Sequence, residues 1–246
     1  MQRPVMGEVI SEAWDKYKKY LGILIGAYFV IWMLTSITQI PLNIASSLSN
    51  VFTTEDVSAG VAVVFFIILM GILIIFVPAS MAVSTWLGIG ERNILLAAAD
   101  DKPIDFVDLF KPKGLFWRYL GASLLVGLIV FGGMLLFIIP GIYFAIRFSF
   151  VNNSIVDKRL TAMEALSNSS KLTLKNKWYL IGWGFLMFGI NLLGVMALFI
   201  GLIFTIPFTA LATMVLYRHL SNNVDQQTKT PTQKQATAAH TAQAAK

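Results

Sequence analysis

The chain has 246 residues, of which 57 % are hydrophobic and 13 % charged, and it carries a net charge of +6. Soluble domains carry roughly 25 % charged residues, whereas apolar runs long enough to cross a bilayer recur here, which excludes an ordinary soluble domain. The lack of cysteine excludes a disulfide scaffold, a thiol nucleophile and a Cys-ligated metal.

Near the N-terminus, Val5, Val9, Ile10, Ala13, Trp14 and Tyr17 share one helical face. Glu12 with Lys16 and Asp15 with Lys19 form i,i+4 pairs on the other. A first membrane span is predicted near 20–39. It is too long for a signal-peptide core and has further spans behind it. A second span lies near 60–87. Pro103 then opens a short helix bearing Phe106, Leu109 and Phe110, which Pro112 stops.

A third span covers 116–139. After the turn at Pro140-Gly141 a fourth, short span runs over 141–156 and contains Arg147. Thr161-Ala162-Met163-Glu164 is a capping box that opens another helix. The fifth and sixth spans fall near 178–195 and 202–220. Residues 221–246, rich in Thr, Gln, Ala and Lys without apolar periodicity, are expected to be disordered.

The fold expected is therefore all-α: a transmembrane domain over 1–220 with six helices in three hairpins, each preceded by an amphipathic segment. These segments are expected to lie along the membrane interface, or else to be connector helices packed on one another. A threefold internal repeat (1–88, 102–156 and 160–220) accounts for further similarities. Lys19-Tyr20-Leu21-Gly22, Arg118-Tyr119-Leu120-Gly121 and Lys177-Trp178-Tyr179-Leu180 precede the odd spans, and Pro78, Pro140 and Pro207 sit in the even ones.

Charge placement orients this scheme. Arg3, Lys16, Lys18 and Lys19 precede span one, and Arg92, Lys102, Lys111, Lys113 and Arg118 separate spans two and three. Lys158, Arg159, Lys171, Lys175 and Lys177 separate spans four and five, and Arg218, Lys229, Lys234 and Lys246 follow span six. Only Arg147 departs from this side, while Glu55 and Asp56 occupy the first opposite loop. Both termini are thus expected in the cytoplasm, with the cations facing anionic lipid headgroups. No basic groove with stacking aromatics suggests nucleic acid.

The stretch Ile139-Pro140-Gly141-Ile142-Tyr143-Phe144-Ala145-Ile146-Arg147, continuing through Phe148-Ser149-Phe150 to Asp157, carries a resemblance. So do Ala165-Leu166-Ser167-Asn168-Ser169-Ser170-Lys171-Leu172-Thr173, Ile206-Pro207 and Tyr217-Arg218. Over about the first 220 residues the chain resembles a bacterial family of six-pass membrane proteins of unknown function. It is similar to the membrane module fused to some glycerophosphodiester phosphodiesterases. The resemblance implies a stand-alone module of a bacterial inner membrane with no catalysis of its own, because the phosphodiesterase proper is a separate soluble barrel.

Catalytic and metal chemistry lack their residues. The two histidines, His219 and His240, have no clustered ligands or buried carboxylate partner, and the spans as drawn contain no carboxylate. Gly88-Ile89-Gly90 and Gly132-Gly133 follow no strand and are not phosphate loops. Gly22 with Gly26 and Ser123 with Gly127 have the spacing of close helix contacts. Arg147 is the candidate lipid- or anion-binding residue. It is placed roughly 9 Å along the helix from Pro140, where an arginine must be paired, hydrated, bound to an anion or snorkelling outward. No cofactor or metal is expected. The function expected is a non-catalytic membrane module that interacts with lipid or a membrane protein partner. The alternative is a small transporter or channel for an anionic or lipid-like solute.

Overall fold

The computed structural model describes residues 4–51, 58–112, 114–174 and 176–244, with side chains for all of these except 48–51, 59 and 227–244. Glu55, Asp56, Arg3, Lys113, Lys175 and Lys246 lie outside the described residues, as do the side chains of Lys229, Lys234 and His240. The described chain is helical throughout. In order it comprises α1 (Met6–Val51), α2 (Ala59–Ala99), a 3-10 segment (Phe106–Phe110), α3 (Phe116–Leu136) and α4 (Ile138–Arg147). There follow α5 (Val151–Lys158), α6 (Ala162–Leu174), α7 (Lys177–Met196) and α8 (Ile200–Ala244).

Five segments are long and apolar enough to cross a membrane: Met6–Ser47, Gly60–Ala99, Phe116–Leu136, Lys177–Met196 and Ile200–Gln226. The fourth expected span, 141–156, is not one continuous helix. α4 has 10 residues, about 15 Å of rise against a hydrocarbon core of about 30 Å. The chain breaks at Phe148–Phe150 before α5 begins. The backbone groups freed there are taken up by hydroxyls of α6. The Phe150 amide donates to Ser169 Oγ at 3.2 Å, and Ser169 and Thr173 donate to the Arg147 carbonyl at 2.9 and 3.1 Å. Together α4 and α5 bring the chain back to where α3 starts, since Arg118 Nη1 donates to the Arg159 carbonyl at 2.8 Å.

Close helix contacts fall elsewhere than the glycine spacing suggests. Nothing lies within 4 Å of a Cβ built on Gly22 or Gly127. The tight approaches are at the hairpin turns, where a Cβ on Gly201 would stand 2.7 Å from Gly194 Cα, and where the 3-10 segment crosses α2. There a Cβ on Gly90 would overlap the Leu109 carbonyl. Trp86 Nε1 and Asn93 Nδ2 fasten the same crossing by donating to the Phe110 and Lys111 carbonyls at 2.9 and 3.1 Å.

The three amphipathic segments gather at one end of the bundle and pack as connectors. The first is continuous with α1 but set off by a non-helical residue, Tyr20 (φ −111°, ψ 15°). Its Val9, Ala13 and Tyr17 are buried, while Val5 and Trp14 of the same face remain exposed. The second is the 3-10 segment, capped by Asp105, whose carboxylate accepts from the Val107 amide at 3.1 Å. The third opens with the capping box: the Thr161 amide donates to Glu164 Oε2 at 2.9 Å. That backbone hydrogen bond, with the one from the Thr161 hydroxyl, holds the Glu164 carboxyl below its usual pKa. Val9, Tyr17, Leu109, Ala165 and Leu172 join one apolar cluster with Leu211, Leu216, Tyr217 and Leu220 of α8.

Ion pairs lock this end. Arg218 Nη2 meets Asp100 Oδ2 at 2.7 Å, just past α2, and its Nη1 meets Asp157 Oδ1 of α5 at 2.6 Å. Tyr217 donates to the other Asp157 oxygen at 2.8 Å. Lys19 pairs with Asp101 at 3.0 Å, an ammonium hydrogen bond that keeps this exposed carboxyl below its usual pKa. Arg218 is thus a structural tie and not only a flanking charge.

At the start of the segment that follows residue 220, Ser221 is buried and Asp225 pairs with Lys158 at 2.8 Å.

Two outcomes follow for the protein in detergent. Removing one partner of an ion pair that is half withdrawn from water leaves poorly solvated charge behind, so Arg218→Ala lowers the thermal midpoint, and Arg218→Lys, which cannot span both carboxylates, recovers only part. Gly90→Ala costs about 1–3 kcal/mol, the usual range for an overpacked site. A midpoint equal to that of the parent would contradict the overlap with Leu109.

Candidate functional site

Arg147 closes α4, the first limb of the broken return. Its Nε donates to Ser170 Oγ of α6 at 2.7 Å, and its guanidinium stands 5.7 Å from the Phe148 ring centre. The side chain shares a cleft with Lys177, the first residue of α7. A cavity of about 350 Å³ lies between α4 and α7, walled by Ile139, Ile142, Ile146 and Ile181 with Arg147 and Lys177. Lys177 Nζ donates to Tyr143 Oη at 3.2 Å and sits 4.5 Å from that ring's centre. Neither cation has a carboxylate partner among the described residues. At its rim Ile139 and Trp178 are 80 % and 83 % exposed. Two cations and a phenol on apolar walls suit a phosphate joined to an acyl chain, because guanidinium matches phosphate in a forked geometry.

A second constellation escaped the sequence analysis. α2 does not end near residue 87 but runs to Ala99, which brings Glu91 and Arg92 inside the bundle. Glu91 lies eight residues from the end of the helix, about 12 Å along its axis. Tyr28 of α1 donates to Glu91 Oε1 at 2.6 Å, and Arg92 Nη1 meets Glu91 Oε2 at 3.0 Å. The Arg92 guanidinium stands 5.8 Å from the Tyr119 ring centre. Gly88, one turn earlier, leaves room for Tyr119, whose hydroxyl would lie 2.9 Å from an added Cβ.

Two expectations are corrected by this cluster. A carboxylate does occupy a membrane-type helix, and Arg92 is an interior residue, not a loop cation. The signal was present in the apolar period that continues beyond residue 87 through Ile94, Leu95 and Ala98, all buried.

The cluster opens onto a cavity of about 330 Å³ whose polar wall is Tyr28, Glu91, Arg92, Ser149, Asn153 and Thr209. It shares no lining residue with the Arg147 cleft. His219 has no buried carboxylate partner, but its Nε2 lies 2.8 Å from Glu12 Oε2 on a half-exposed surface. Among the described residues no three His, Asp or Glu side chains gather as a metal site would require. Comparison with protein-family models, with curated proteins and with solved structures finds no match.

Glu91→Ala strands Arg92 inside the bundle and is expected to cost about 3–5 kcal/mol. Replacing Glu91 and Arg92 together with Leu is expected to cost less than the single change, because no unpaired charge remains. A thermal-unfolding double-mutant cycle that found the two effects additive would dissolve the pair.

Proposed function

We propose that the chain is a non-catalytic membrane module that binds anionic lipid through the cleft between α4 and α7. The observation that carries this reading is the pair Arg147 and Lys177, two cations without carboxylate partners among the described residues, set among isoleucines at a surface that is itself apolar. A cation left unpaired in a low-dielectric setting is costly, and a lipid phosphate supplies the missing charge while its chains lie on Ile139, Ile142 and Trp178.

In this reading the chain crosses the bilayer six times, with α4 and α5 together forming a broken fourth crossing. The return of the chain from Arg147 to Arg159 beside Arg118 supports that count. Both termini lie on the side where Lys16, Lys19, Lys102 and Arg118 gather. By the bias of basic residues towards the cytoplasm, that side is the cytoplasmic one. The likeness of the Pro140 to Thr173 region to bacterial six-pass proteins suits an inner-membrane location.

Native mass spectrometry of the protein released from mild detergent tests the assignment. The parent is expected to retain phosphatidylglycerol in preference to phosphatidylcholine, and Arg147→Ala with Lys177→Ala is expected to lose that preference. Equal retention of both lipids by parent and double variant would sink the reading.

A further inference from the structure

Resting on the lipid reading above, we infer that the cleft between α4 and α7 selects a phosphomonoester lipid, one doubly charged phosphate on an acylated glycerol, over phosphodiester lipids. Two cations converge on one point there. Lys177 Nζ donates to Tyr143 Oη at 3.2 Å, and the Arg147 guanidinium faces the same hydroxyl. A phenol oxygen accepts a hydrogen bond without cancelling either charge. α7 adds the partial positive charge of a helix start with no side-chain cap, because Asn176 turns its Nδ2 to the Leu172 carbonyl at 3.2 Å. Two phosphates spaced along one headgroup would not meet that convergence, whereas a single dianionic phosphate does.

The polar part of the wall is made of donors. Arg147 Nε is spent on Ser170 Oγ at 2.7 Å, which leaves the forked Nη groups for the cleft. Arg147, Lys177 and Tyr143 are each half-buried and so within reach of a ligand. Thr173 lines the same cleft, but its hydroxyl is turned to the carbonyls of Arg147 and Ser169, at 3.1 and 3.0 Å. Among the described residues no carboxylate or amide side chain lines the cleft. The ammonium of phosphatidylethanolamine and the hydroxyls of phosphatidylglycerol therefore find no side-chain acceptor of that kind there. A phosphomonoester is complementary to such a wall, because at pH 7 it carries a charge of about −1.5 to −2 and three strong acceptor oxygens. The guanidinium fork matches two of those oxygens, and the Lys177 ammonium matches the third.

The test is lipid competition on the full-length protein in mild detergent, read by native mass spectrometry. Phosphatidic acid, phosphatidylglycerol and phosphatidylcholine with identical acyl chains are supplied in equal amounts. Phosphatidic acid is expected to be retained about fivefold over phosphatidylglycerol, the effect of one further charge near a membrane surface. Lys177→Gln is expected to bring phosphatidic acid down to the level of phosphatidylglycerol while both stay above phosphatidylcholine. Lys177→Arg, which restores the charge, is expected to restore the preference. Methyl phosphate, the same charged group without chains, is not expected to displace the lipid at equal concentration. Displacement by it would make the ligand a soluble phosphomonoester and overturn the inference. Equal retention of the two anionic lipids by the parent, both above phosphatidylcholine, would overturn it and leave the lipid reading standing. Retention of neither above phosphatidylcholine would remove both. A preference for phosphatidic acid that survives unchanged in Lys177→Gln would place its source outside the cleft and overturn the inference as well.

Discussion

A single guanidinium, that of Arg218, holds carboxylates from two other parts of the chain, and the arrangement of the helices hangs on it. Within a bilayer, helices gain nothing from hiding apolar surface, because lipid tails are as apolar as leucine. Their register must come from packing and polar contacts. Asp100 follows α2 and Asp157 lies in α5, while Arg218 belongs to α8, so the bridge joins three separate parts of the chain. The three charges are half-buried at the edge of the connector core, where their attraction is stronger than at a fully wet surface. Tyr217 completes the coordination of Asp157, leaving Arg218 Nε as the one unpartnered donor of the tie.

The packing of α6 explains why the chain can break between α4 and α5. Ending α4 at Arg147 frees amides and carbonyls that would normally bond along the helix, a heavy penalty away from water. Ser169 and Thr173 of α6 absorb it by hydrogen bonding to Arg147 O and Phe150 N. α6 is in turn fixed by its capping box and by burial of Ala165 and Leu172. The break therefore serves a purpose in the geometry. It turns the guanidinium of Arg147 towards Lys177, which an unbroken helix over 141–156 would have no reason to do.

Much of this was legible in the sequence and some was not, for identifiable reasons. The apolar runs marked the long helices, the Thr161 to Glu164 spacing marked the cap, and the apolar face of the first segment contains the buried Val9, Ala13 and Tyr17. What failed was the rule that a span ends where charge begins. Glu91 and Arg92 are adjacent in sequence and neutralise each other, so α2 carries both inside the bundle, a possibility that counting each charge alone does not reveal. Arg218 was likewise taken as a flanking cation because its partners lie 118 and 61 residues away. The break after Arg147 was hidden for the opposite reason. Phe148 and Phe150 keep the run apolar, and the hydroxyls that make the break tolerable come from another helix.

The two interior cations differ in a way that separates their roles. Arg92 has its counter-charge 3.0 Å away, so the pair is neutral overall and only the directional demand of its spare N–H remains. Arg147 and Lys177 have no such partner, so what remains there is net positive charge. That charge is reinforced by its position, because Lys177 begins α7 and the exposed amides of a helix N-terminus carry a partial positive charge. A neutral pair leaves a demand for hydrogen-bond geometry, whereas an uncompensated pair on an apolar flank leaves a demand for charge.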